Sequence, residues 1–276
     1  MPQQAERCGK CNDEALAAID LHDDLSIIVY HAFMPRVVAD VPAESSILCE
    51  GCGYTLDGLP PGSNCPECGK PMVESTSGDG RAAPRWETGG GAPIAEFWRI
   101  TGEIIFRPSR FFRGLTTRGP LSRANRFAAI HWWIASALFA TAGLKHWNWY
   151  ASISAGGNTM TMIEWLLLIV ATYVSLWGIT SLATRLTTWE ARYRGLRLPQ
   201  AIVRRGLDYH AAHYLPVGLG AWGTTALYQR LLQAQILKVD SAYPYLSALS
   251  AEVILAAFYL FWTYWAAMRN MMYANR

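Results

Sequence analysis

The chain has 276 residues, 51% of them apolar and only 16% charged, with 12 Trp, 13 Tyr and 9 Phe; an average soluble domain is about 25% charged, which argues against an ordinary water-soluble globule. The formal net charge of +3 hides a split, since residues 1–96 hold 15 Asp/Glu against 6 Lys/Arg and residues 97–276 hold 6 against 18. Two regions in different surroundings are expected, and nucleic-acid binding is not, because the basic residues border apolar runs instead of forming one patch.

Residues 1–12 are polar and lack the apolar core of a secretory signal, so the N-terminus is expected to stay inside. All six cysteines occur as three CxxC pairs before residue 69. That usage suits reduced thiols serving a metal better than a disulfide framework. The first pair, Cys8 and Cys11, is open to three readings: half of a second metal site completed by His22, His31 or another chain, a redox pair, or a vestigial knuckle. Residues 13–24 form an acidic, helix-compatible run, and the apolar run 25–33 is too short for a bilayer, which needs about 20 residues. Residues 1–48 are therefore read as an acidic preface of undetermined fold.

Cys49 and Cys52, followed twelve residues later by Cys65 and Cys68, have the spacing of a four-thiolate zinc site, in which two tight turns each present two sulfurs to one tetrahedral ion. Gly53 and Gly69 follow the two turns, where only glycine readily takes the backbone conformation that aims amide N–H groups at thiolates. Residues 49–73 are expected to form a zinc ribbon of short strands around Zn2+. Residues 74–93, with Gly78, Gly80, Pro84 and the triplet Gly89, Gly90 and Gly91, read as a flexible linker.

Residues 94–120 begin a basic, apolar segment in which Phe97, Trp98, Ile100, Ile104, Phe111 and Phe112 alternate with Arg99, Arg107, Arg110 and Arg113. An interfacial helix is expected, its apolar face in lipid and its arginines among headgroups, with a kink or stop at Pro108; packing of that face on protein is the alternative. Four apolar stretches follow in residues 121–276, at 127–144, 163–183, 211–229 and 248–268, each about long enough to cross a ~30 Å hydrocarbon core. Trp132, Trp133, Trp147, Trp149, Trp165, Trp189 and Trp265 border them as interfacial anchors.

Loop charges set the orientation. Six arginines (107, 110, 113, 118, 123, 126) precede span one, only Lys145 separates spans one and two, and six more (185, 192, 194, 197, 204, 205) separate spans two and three. Lys238 and Asp240 follow span three, and Arg269 and Arg276 follow span four. Cytoplasmic loops carry the Lys/Arg excess, so both termini and the cysteines are expected in the cytoplasm. The fold class that emerges is an α-helical integral membrane protein with four transmembrane helices, preceded by an amphipathic interfacial helix and a small N-terminal zinc ribbon.

The stretch CEGCGYTLDGLPPGSNCPECGKPM, residues 49–72, resembles the zinc ribbons fused to membrane domains in planctomycete bacteria. FWRITGEIIFRPSRFFRGL, residues 97–115, with the spans after it, is similar to the opening of the YIP (Ypt-interacting protein) membrane superfamily. Members of that superfamily commonly have five spans where four are counted here. Together the resemblances imply a multi-pass protein of a bacterial inner membrane with a cytoplasmic ribbon, and they imply architecture more than mechanism.

A closed four-thiolate site leaves no position for water or substrate, so catalysis at the metal is not expected. Neither HExxH nor a serine-hydrolase context is present. Ionisable residues at membrane depth are functional candidates: His131, His210, His213, Glu164 and Glu252, with Arg230 as a partner for the glutamates. His210 and His213 share a helix face and would need a third ligand to hold a metal; interfacial histidines and snorkelling glutamates are the plainer reading. Gly218, Gly220 and Gly223 are expected to allow close helix packing. The leading expectation is a non-enzymatic membrane protein in which a cytoplasmic protein partner binds the ribbon. A small transporter or channel using the glutamates and histidines, and an intramembrane metal enzyme, are the alternatives.

Overall fold

Long apolar runs must satisfy their own backbone polar groups, and helices do so within one segment. The computed structural model describes residues 42–43, 46–76, 81–89, 92–153, 157–237 and 242–275, which are mostly helical and contain no β-strand. The acidic preface through residue 41, with Cys8 and Cys11, lies outside the described residues. Two short helices, α1 (Val73–Thr76) and α2 (Arg85–Thr88), lead to α3 (Pro93–Phe106), α4 (Pro108–Gly114), α5 (Ser122–Ile153), α6 (Met162–Tyr193), α7 (Gln200–His210), α8 (Tyr214–Gln233) and α9 (Ala242–Met271). A single 3-10 turn, Ala211–His213, joins α7 to α8.

Local chemistry accounts for several of the boundaries. Pro93 opens α3 and Pro108 opens α4, where a missing N–H costs nothing; between them Arg107 leaves the helical region at φ −140°, the break expected at Pro108. Helix α6 starts on a capping box: the Thr161 side chain accepts from the Glu164 amide while Glu164 accepts from the Thr161 amide at 2.7 Å. This accounts for Glu164, which is a cap.

Three helices, spanning 122–152, 162–193 and 243–271, are long and apolar enough to cross a membrane. Their outward surfaces suit lipid: Ile163, Leu167, Val170 and Val174 on α6, and Val253, Leu255, Phe258 and Phe261 on α9, are all at least half exposed. Helix α8, the third predicted span, is not among the three. It nonetheless runs the length of the bundle beside α5 and α9. Its start packs Tyr214 on the cluster of Ala128, Trp132 and Ala135 of α5 with Leu176 of α6, and its far end packs Tyr228 with Trp149 of α5 and Tyr245 of α9. Gly218 brings α8 against Leu138, and Gly220 brings it against the Glu252 carboxylate, so two of the three predicted packing glycines sit at helix contacts; Gly223 faces open space.

The large core sits at one end of the bundle. Phe97, Ile100 and Ile104 of α3, with Phe111 and Phe112, pack on Phe127, Val203, Leu207, Tyr209 and Met271, all less than a tenth exposed. Rings meet edge-on or tilted, Phe97 to Phe127 at 5.1 Å and Phe127 to Tyr209 at 5.0 Å. This corrects the expectation of a lipid-facing surface for Phe97, Ile100, Ile104, Phe111 and Phe112, which protein covers, while Trp98 stays half exposed. Two expected interfacial anchors, Trp132 and Trp149, are likewise core residues, at 2% and 9% exposure, whereas Trp133, Trp147, Trp189 and Trp265 do face outward.

Helix α7 occupies what reads in sequence as an arginine-rich loop. Ile202, Val203, Gly206, Leu207 and His210 recur at helical spacing and are buried. Arg205 is buried with them, and so counts as a structural charge more than a loop charge.

Candidate metal centre

The Cys49–Cys52 and Cys65–Cys68 turns are built alike. In the first, the Cys49 amide donates to the Tyr54 carbonyl and the Gly53 amide to the Cys49 carbonyl, both at 2.8 Å; in the second, Cys65 donates to Lys70 at 2.8 Å and Gly69 to Cys65 at 2.9 Å. Each turn is closed by an isolated antiparallel bridge, Leu48 to Thr55 and Asn64 to Pro71, in place of the short strands expected. Gly53 and Gly69 adopt φ of 84° and 71°, the left-handed region anticipated from their type. At Gly53 a second reason applies, because a Cβ would stand 2.5 Å from the Tyr273 ring.

The four sulfurs lie within 4.8 Å of one another, with Cys49 to Cys68 at 3.5 Å and Cys52 to Cys65 at 3.6 Å. Those separations are far too long for a disulfide, and they approach the roughly 3.8 Å edge of a tetrahedron of thiolates about 2.3 Å from a common centre. The cluster can therefore hold a metal ion. Burial raises the Cys49 thiol, but the Gly51 and Cys52 amides donating to its sulfur outweigh that and bring it down to about 7; burial pushes Cys52 up to about 12. An amide-held sulfur that sheds its proton near neutrality lowers the cost of metal binding, which requires thiolates. Under the sulfurs, Leu56 is buried and Leu59 and Met72 half-buried, a core of only a few side chains.

The ribbon is not free of the helices. Asn275, just beyond α9, reads its backbone from both sides: Oδ1 accepts from the Leu48 amide at 2.9 Å, and Nδ2 donates to the Leu48 carbonyl at 2.7 Å and the Ser75 carbonyl at 2.8 Å. Arg197 donates to the Ala43 and Ser46 carbonyls and to Asn275 Oδ1. Arg81 pairs with Glu50 at 3.0 Å and also donates to the carbonyls of Phe112, Leu115 and Asn270.

The predicted flexible linker is thus corrected over residues 81–89. Beyond Arg81, the Ala82 amide donates to Gly114 at 2.8 Å, and Trp86 Nε1 donates to the Arg123 carbonyl at 2.9 Å. Glu87 accepts two bonds from Arg205 Nη1, at 2.8 and 2.7 Å, and one from the Tyr209 hydroxyl at 2.8 Å. Arg205 Nη2 donates to the carbonyls of Gly119 and Pro120. The pair is almost fully covered, with side chains 1% and 8% exposed. Glycine content suggested slack; the charged residues between the glycines remove it.

His131, His210 and His213 do not assemble a second metal site: among the described residues, the four cysteines are the only cluster with metal-ligand geometry. His131 is hydrogen-bonded to Thr101 at 3.0 Å and to the Phe127 carbonyl at 3.0 Å, and it stacks on Phe97. His210 contacts Thr263 at 2.9 Å, and His213 meets the Tyr259 hydroxyl at 2.7 Å. All three are buried cross-links between helices, not interfacial side chains. The glutamates do not pair with Arg230 in any ion pair among the described residues. Glu252 keeps both carboxylate oxygens buried without a hydrogen-bond partner, against Gly220.

Asp208 of α7 was not singled out in the sequence and is fully buried. Arg204 Nε lies 2.9 Å from its Oδ1, yet neither carboxylate oxygen receives a bond of good hydrogen-bond geometry. Burial pushes the carboxyl up to about 7 against the opposing pull of Arg204 and Arg205. The folded chain therefore holds a proton at Asp208 between its ordinary value of 3.8 and about 7 that the unfolded chain has released. This contribution to stability is lost as pH rises through that window and is constant above it. Asp208→Asn should flatten the slope, so the melting temperature of the variant in detergent should rise relative to the parent's as pH goes from about 4 to about 7; parallel profiles would contradict the assignment.

No family model, curated protein or solved structure matches the chain.

Proposed function

We propose that the chain is a multi-pass bacterial inner-membrane protein whose four cysteines bind zinc as a structural ion, and whose ribbon offers a cytoplasmic protein partner a rigid surface beside the bilayer. The observation that carries this reading is the closed set of four sulfurs within 4.8 Å: all four ligands come from protein, which favours a structural ion over a catalytic one. Zinc is the natural occupant because an all-thiolate tetrahedral set suits it, though iron shares that preference. Helix α8 is taken as the fourth span, supported by its parallel course beside α5 and α9 and by a length of 20 residues, about 30 Å. A helix sheltered by neighbours can be less apolar than one facing lipid on all sides. With four spans, the arginine excess in the connecting segments supports a cytoplasmic side for the ribbon and both termini. The architectural kinship with ribbon-bearing, YIP-like membrane proteins belongs to the same proposal.

The ribbon has a docked side, at Leu48 and Gly53, and an outward side on which Tyr54 and Glu67 are exposed. A photo-crosslinking residue at Glu67 should capture one defined protein adduct in intact cells, while the same residue at lipid-facing Phe258 should not. No adduct at position 67, or an adduct that persists unchanged when Cys65→Ser unfolds the ribbon, would overturn the interaction role.

A further inference from the structure

Helix α3 has three faces. Phe97, Ile100, Thr101 and Ile104 enter the core. Glu96, Arg99 and Glu103 form a charged stripe, with Arg99 bonded to Glu96 at 2.7 Å and near Glu103 at 3.7 Å. Ile94 and Trp98, one turn apart, remain exposed at 76% and 48%, and Phe106 at the end of the helix is exposed at 83%. Among the described residues these apolar side chains are left about half open or more, although the face beside them is buried.

Two adjoining hollows open at the corner where α3 turns into α4. One, of about 690 Å³, is lined in part by Arg85, Arg99, Arg110 and Arg113. The other, of about 580 Å³, brings Arg107 and Arg110 together with Phe106. Arg107, Arg110 and Arg113 are exposed and have no carboxylate partner among the described residues. The two glutamates nearby are already engaged by Arg99 and Arg85. A surplus of cationic forks thus shares a hollow with an exposed phenyl ring.

We propose that this corner binds the phosphate headgroup of an acidic phospholipid from the bilayer that the chain spans, with Arg107 and Arg110 on the phosphate and Phe106 beside the upper acyl chain. Guanidinium groups favour phosphate through parallel N–H bonds. A lipid fits better than a free anion because Phe106, Trp98 and Ile94 supply apolar contact that a soluble phosphate cannot use. The corner also sits at the ends of two membrane-length helices, since Phe97 of α3 packs on Phe127 near the start of α5 and Arg113 of α4 donates to Asn270 near the end of α9. In this proposal the arginines meet lipid headgroups beside the exposed Ile94, Trp98 and Phe106, while the neighbouring face of α3 stays in the protein core.

Native mass spectrometry of the full chain in detergent, titrated separately with phosphatidylglycerol and phosphatidylcholine, tests this. Phosphatidylglycerol should bind at least about ten-fold more tightly, an advantage that weakens with salt as charge screening requires. The double variant Arg107→Gln/Arg110→Gln should lose the preference while keeping the parent's metal content and melting temperature, and Arg107→Lys/Arg110→Lys should retain part of it. Equal binding of the two lipids in the parent, or an undiminished preference in the glutamine variant, would overturn the proposal. So would displacement of phosphatidylglycerol by inorganic phosphate at equal concentration, which would mark a site for free anions. The readout does not depend on a partner of the ribbon, so failure here and failure of the interaction role are separable.

Discussion

Replacing Cys65 with serine should reduce bound zinc from about one ion per chain to nearly none and turn the ribbon into a protease-sensitive segment, while the helices remain inserted. A serine hydroxyl cannot act as the fourth soft ligand. The remaining ribbon then has little to hold it: Leu48 and Leu56 are its only fully buried aliphatic side chains. Structural zinc in small domains supplies on the order of 10–16 kcal/mol of apparent binding free energy, far above what two or three leucines contribute at about 1.5–3 kcal/mol each. The effect should also spread. Leu48 and Glu50 are the ribbon atoms that Asn275 and Arg81 hold, so unfolding the ribbon releases the residue beyond α9 and leaves Arg81 without its carboxylate. Metal analysis of the purified chain, with limited proteolysis of parent and variant, reads both consequences. A metal-free chain whose residues 46–76 stay protected would refute the structural role of the ion.

Glu87→Ala is expected to destabilise the folded chain by about 3–5 kcal/mol, the range for stranding one partner of a buried ion pair. Arg205 would keep its bonds to Gly119 and Pro120, but its charge would stay buried without its hydrogen-bonded carboxylate, and the Tyr209 hydroxyl would lose its acceptor. A surface pair would cost less than about 1 kcal/mol, so the measurement discriminates sharply. The double replacement Glu87→Leu/Arg205→Met should be milder than either single loss, because no charge is left stranded. Chemical unfolding in detergent micelles, arranged as a double-mutant cycle, would show it; a loss under 1 kcal/mol for Glu87→Ala would mean that this contact is not a staple.

Particular residues explain why some of this was legible and some was not. The cysteine quartet and its glycines were readable because metal ligation is a local rule: two sulfurs per turn and a left-handed residue after each are imposed within a few positions. Three long apolar helices were readable at the predicted spans because a segment that apolar must close its backbone hydrogen bonds within itself. The break at Pro108 followed from the missing N–H alone. Helix α7 carried a signal that went unread, the helical spacing of Ile202, Val203, Gly206 and Leu207, because its arginines matched the expected cytoplasmic loop. The linker failed differently. Gly89 and its neighbours suggested slack, yet Arg81 and Glu87 find partners at Asn270 and Arg205, more than a hundred residues away.

By itself the sequence determined the elements whose cause is short-range: the thiolate set, the turns that carry it, the apolar helices and the sign of the loop charges. The tertiary structure alone decided which side chain faces what. It turned the aromatic face of α3 into protein core, made staples of Arg81, Glu87 and Arg205, and fastened the ribbon to Asn275. The reason is that hydrophobic periodicity shows which face of a helix avoids water but does not distinguish lipid from protein as its cover. Likewise, a charge in sequence carries no mark of whether its partner lies four residues away or across the fold.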